Sequence, residues 1–133
     1  MKETYAFLVK TEVNYVSTID GDKPSCRPFG APIIYDDKIY ILTSKHKNVS
    51  KQIEKNNNAC IVAYDGDNWL RINCILIDDS SNINVKSKFL EEFDDLEDAG
   101  YSLDNPDMQV LYMSDVEATL YDEDGNELEK YKF

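Results

Sequence analysis

Four short clusters of acidic residues, most with glycine, cut this chain into runs that leave little room for long helices. Asp20-Gly21-Asp22, Asp36-Asp37, Asp65-Gly66-Asp67 and Asp122-Glu123-Asp124-Gly125-Asn126 each stand between two apolar runs. Aspartate and asparagine hydrogen-bond their own backbone and glycine takes positive φ freely, so such clusters close tight turns. The intervening runs at 13–19, 25–35, 38–43, 59–64, 69–77, 108–113, 116–121 and 128–133 are rich in β-branched and aromatic residues and read as strands. Pro28 and Pro32 interrupt the second run and place it at an edge or a bulge, because proline cannot donate to a ladder. Helical spacing occurs at 3–10, with Tyr5, Phe7 and Leu8 turned to the body, at 48–55, and at 85–96, where Val85, Phe89 and Phe93 lie four apart. The expected architecture is mainly β with short α: a six- to seven-stranded antiparallel barrel, closed or partly closed, carrying two to three short helices. Residues 1–133 are expected to form one domain.

The stretch from Tyr40 to Ile53 carries the chemistry. An apolar strand ends in two hydroxyls, Thr43 and Ser44, and runs into a helix in which Val49 and Ile53 share one face and Lys47 and Lys51 another. Free amides at a helix start, with lysines beside them, form a seat for a phosphate. The same spacing also describes an ordinary solvated helix face. The surroundings make the first reading notable, because the net charge is −12 and yet five of the 14 basic residues fall between Lys38 and Lys55. A charge of that sign disfavours nucleic acid as a partner. Cys26, Cys60 and Cys74 lie singly in strand-like runs, with neither metal-ligand spacing nor an even count for a disulfide framework. His46 is the sole histidine, so neither a Ser-His-Asp set nor a histidine metal cluster can be built around a pair. The acidic run from Glu91 to Asp98 reads as a solvated face, without calcium-loop spacing. No apolar stretch is long enough to suggest a signal peptide or membrane span, so a cytoplasmic location is expected.

Taken in order, these motifs resemble the pyridoxamine 5′-phosphate oxidase-like FMN-binding split-barrel superfamily, and within it the small nitroimidazole-resistance-like branch. The segments are STIDGDKPSCRPFG, DDKIYILTSKHKNVSKQIEKNN and ACIVAYDGDNWLRI, followed by the final strand pair. The resemblance implies that FMN phosphate is held by Arg27, Thr43, Ser44, Lys47, Lys51 and Gln52. It implies that the backbone at Pro28, Phe29 and Gly30 runs along the flavin ring. Trp69 stands where relatives place a glutamine from the partner subunit, and Arg71 follows it on the same side. For Trp69 an interface or core anchor and a flavin contact are both open readings. The resemblance further implies a homodimer with flavin sites at its interface and a small-molecule substrate, with electrons from NAD(P)H. Since the cofactor carries the redox chemistry, few catalytic side chains are needed.

Two departures limit the reading. The vitamin-forming oxidases carry a C-terminal Arg-x-His pair, whereas this sequence reads Glu-Leu-Glu-Lys-Tyr-Lys-Phe there. Where they place adjacent arginine and lysine, this sequence has Asn48-Val49. The expected function is therefore that of an FMN-dependent oxidoreductase acting on a small nitroaromatic or quinone-type electrophile. The alternative is a non-catalytic or regulatory flavin- or haem-binding split barrel.

Overall fold

The computed structural model describes residues 1–133. In chain order the elements are α1 (Lys2–Thr11), β1 (Asn14–Asp20), β2 (Lys23–Phe29), β3 (Ile33–Tyr35), β4 (Lys38–Ser44), α2 (Asn48–Lys55), β5 (Asn58–Tyr64), β6 (Trp69–Asp78), α3 (Ile83–Glu92), α4 (Asp95–Asp98), β7 (Met108–Tyr121) and β8 (Glu127–Lys132). All eight strands join one antiparallel sheet in the order β2-β1-β5-β6-β7-β4-β3, with β8 on β7. The sheet curls without closing. It is the mainly β, split-barrel architecture expected, with one strand and one single-turn helix more.

The strand boundaries differ from the sequence runs for two local reasons. The proline-broken run divides at Gly30-Ala31-Pro32 into β2 and β3, and β3 turns into β4 through Asp36 and Asp37, both at positive φ. That pair of left-handed residues is the geometry a two-residue hairpin needs. Conversely, the runs 108–113 and 116–121 fuse into the single strand β7, interrupted by a bulge at Asp115, whose φ is +50°. The bulge inserts one residue and reverses the facing pattern. Leu111 and Met113 point into the barrel before it, Val116 and Ala118 after it.

Two cores result. The larger lies inside the curl, from Leu8, Val16, Ile39, Ile41, Ile61, Leu70, Ile72 and Leu76 among others. The smaller covers the opposite face of β3, β4 and β7, where Ile33, Tyr40, Met108 and Val110 meet Val85 and Phe89 of α3. β4 and β7 are therefore apolar on both faces. No helix covers the outer face of β1, β5 and β6 in the same way: Tyr15 and Tyr64 are 50% and 59% exposed there. No helix is long and apolar enough to cross a membrane.

Candidate functional site

β1 alternates strictly, and its inward positions are Asn14, Val16 and Thr18, all buried. Arg27 on β2 pairs with Val16, so its side chain also starts on the inner face. It runs along the strand to the open end of the barrel, where α2 packs against β1. There its Nη1 donates to Thr18 Oγ1 at 2.7 Å and to the Val16 carbonyl at 3.3 Å. Its Nη2 donates to Ser25 Oγ at 2.7 Å and Gln52 Oε1 at 2.9 Å. Thr18 completes the ring by donating to Gln52 Oε1 at 2.6 Å. Every partner is neutral. Burial pulls the Arg27 pKa below its ordinary value, opposed by Cys26 and by Asp20, the nearby carboxylate. The guanidinium remains charged, held in place by hydroxyls and amide oxygens, with no carboxylate paired to it.

α2 supplies the rest of this end. Its N-cap is Lys47, whose side chain makes no capping bond, and its first turn holds no acidic residue. Asn48, Lys51, Gln52 and Lys55 line a polar groove of about 580 Å³ with Asp20 and Gly21 of the β1–β2 turn. Lys45, Lys47, Lys51 and Lys55 make no ion pair. The turn before the helix is pinned from outside: Lys45 N–H donates to the Asp107 carbonyl at 2.8 Å, and His46 Nδ1 lies 2.7 Å from Asp107 Oδ2. His46 is thus an exposed, carboxylate-bound loop residue.

The structure brings Arg27, Lys51 and Gln52 together, with Lys47 at the start of the same helix. The remaining candidates lie elsewhere. Thr43 is buried in the barrel opposite Gln109. Ser44 faces the other way, its Oγ 2.7 Å from the Tyr101 hydroxyl. Phe29 is a core residue, Pro28 is on the outer face, and Gly30 borders an apolar cleft with Leu42 and Phe89. Trp69 and Arg71 belong to the bare outer face. Trp69 stacks on Tyr121 with ring centroids 4.3 Å apart, and the Arg71 guanidinium sits 5.1 Å and 5.4 Å from the two ring centroids. The cation thus sits beside a stacked aromatic pair, within cation–π range of both rings. Within one chain, then, Arg27 and Trp69 lie on opposite faces of the sheet.

Thr18 and Ser25, which fix the guanidinium, were not singled out from sequence. The signal for Thr18 was present: it is polar at an inward position of an otherwise alternating strand. Tyr121 and Tyr101 carry no such signal, because their partners are distant in sequence.

The sequence matches no family model and no curated protein. Solved structures do match. A haem-storage protein of Vibrio cholerae, HutZ, aligns at TM-score 0.66 and 12% identity, covering 98% of this chain and 92% of its own. A pyridoxamine 5′-phosphate oxidase-related, FMN-binding protein of Nostoc punctiforme aligns at TM-score 0.67 and 13% identity, covering 98% and 91%. At those identities the likeness is one of fold. A NimC/NimA family protein of Clostridium acetobutylicum aligns at TM-score 0.91 and 30% identity, over 100% of this chain and 93% of that one. With that identity across its whole length, on the same split barrel, the chain belongs to the NimC/NimA family.

Proposed function

We propose that this protein binds FMN and acts as a flavin-dependent oxidoreductase, passing nicotinamide-derived electrons to a small electrophile of the nitroaromatic or quinone type. The observation that carries the reading is the Arg27 guanidinium, ordered by neutral acceptors alone in a chain of net charge −12. Its partner Gln52 belongs to α2, a helix that begins without a side-chain cap. A fixed cation, free helix amides and unpaired Lys47 and Lys51 are what a phosphate dianion needs. The fit extends to Gly30. Its φ is not positive, and a Cβ added there would meet nothing within 4 Å, whereas Gly21, Gly66, Gly100 and Gly125 all have positive φ. Neither backbone strain nor packing requires glycine at this position. A ligand lying close to the backbone is the use that remains.

When bound, FMN supplies the electron transfer. The chain's own part is to seat the phosphate through Arg27, Lys47, Lys51 and Gln52 and to leave an open approach at Gly30. Trp69 and Arg71 cannot serve the same site within one chain, since they lie across the sheet. We therefore place them against the flavin of a twofold-related copy, in a homodimer with two equivalent sites.

The test is the absorbance spectrum of the purified protein, followed by extraction and mass spectrometry of the ligand. FMN bands that bleach on addition of NADH or NADPH are the expected result. FAD as the sole flavin would contradict the phosphate assignment, and a Soret band in place of flavin bands would favour the haem reading.

A further inference from the structure

The smaller core is incomplete on the side facing Gly30. Phe89, fully buried, forms the floor of a cleft whose walls are Gly30 and Ala31 on one side and Phe93 and Leu96 on the other. Leu42 and Tyr101 complete the lining, and the volume is about 190 Å³. Closely packed interiors seldom leave voids of this size. An apolar cavity of roughly 150 Å³ is known to stay dry and to take up one benzene ring, so this cleft has room for one substituted ring. Besides Asp95, its polar lining residue is Tyr101, whose hydroxyl lies 2.7 Å from Ser44 Oγ. With Ser44 as the donor in that pair, the Tyr101 O–H hydrogen is left for a ligand acceptor.

The rim has a definite charge. Asp95 borders the cleft, and the segment that carries its helical wall reads Glu91-Glu92-Phe93-Asp94-Asp95-Leu96-Glu97-Asp98. Lys88 of α3 is engaged with Glu92 and the Ile34 carbonyl. An anion entering here would meet the Asp95 carboxylate and be repelled by it.

We propose that this cleft is a binding site for a single neutral aromatic ring bearing a hydrogen-bond acceptor, such as a nitro group or quinone carbonyl, and that its acidic rim excludes anionic aromatics. The assignment rests on the flavin reading for its role as the substrate side of that site, since Gly30 borders both. Its own occupancy does not depend on flavin. The phosphate seat and the cleft therefore have opposite charge preferences: cations at α2, acids at α4.

The experiment uses backbone amide NMR of the full chain, titrated with para-nitrobenzyl alcohol and with para-nitrobenzoate, in flavin-free and FMN-supplemented protein. The neutral probe should give saturable shifts centred on Gly30, Leu42, Phe93 and Tyr101, and the benzoate should bind at least about tenfold more weakly, a difference of about 1.4 kcal/mol. Gly30→Leu, which the open space tolerates, should fill the cleft and remove binding of the neutral probe; Leu96→Trp fills it from the other wall if the first variant misfolds. Asp95→Asn should bring the two probes closer together. Absence of saturable shifts at those residues in both samples overturns the site, as does unchanged binding by a folded cleft-filling variant. Equal affinity for the two probes overturns the charge selection. If the neutral probe binds as described while FMN does not bind at all, the cleft stands and the flavin reading alone fails.

Discussion

At the scale of residues, Arg27 decides most. Both Nη groups donate to neutral acceptors, Nε–H is left over, and no carboxylate pairs with the charge, a combination that immobilises a cation without neutralising it. Lys45 has no comparable setting: it is exposed, and it lines a separate groove near Glu54 and Asp78. Arg27→Ala should therefore weaken FMN binding more than Lys45→Ala, by roughly 1.5–3 kcal/mol, about tenfold or more, for a lost charged contact. Fluorescence titration of the two variants measures it, and equal dissociation constants would contradict the role of Arg27. Thr18 and Gln52 remain hydrogen-bonded to each other when the arginine is removed, so the variant is expected to fold.

Among the elements, the β5–β6 turn shows how a local motif becomes tertiary. Asp65 Oδ1 accepts the Asp67 and Asn68 amides at 2.9 and 2.7 Å, the bonds any Asp-Gly-Asp-Asn turn would seek. Its Oδ2 accepts Lys10 Nζ at 2.9 Å, which ties the turn to α1. The Asn68 and Asp67 amides, and then Lys10, hold the carboxyl down to about 2. A folded-state pKa below the unfolded value means stability that is present above the unfolded pKa and lost as pH falls toward the folded one. The stability attributable to Asp65 should accordingly vanish between about pH 5 and pH 2, and Asp65→Asn should flatten that limb. Urea midpoints of both proteins across that range provide the check; parallel acid limbs would show that the turn contributes nothing to the pH dependence.

For the whole molecule, the uneven covering of the sheet sets the expectation. α3 and α4 close the outer side of β3, β4 and β7, while Tyr15, Tyr64, Trp69, Arg71 and Tyr121 stay on the bare remainder. An aromatic face of this kind is a usual place for association. Light scattering at micromolar concentration, with flavin measured on the same fraction, should give a dimer with one FMN per chain. A monomer that retains a full equivalent of FMN would show that a single chain makes the site, and the placement of Trp69 and Arg71 against the partner's flavin would fall.

By itself the sequence determined the elements whose causes are local. Acid–glycine turns depend on side-chain-to-backbone bonds a few residues apart, and strand alternation and the α2 face depend on periodicity, so an antiparallel barrel and the lysines near α2 could be read directly. What depends on register could not. Whether 108–113 and 116–121 were one strand or two turned on the single left-handed residue Asp115. That Arg27 meets Thr18 and Gln52, while Trp69 turns away to Tyr121, followed from which faces paired strands share. The cleft beside Gly30 exists only because α3 and α4 pack short of the break between β2 and β3. No local pattern encodes a gap between elements distant in sequence; tertiary packing alone decides it.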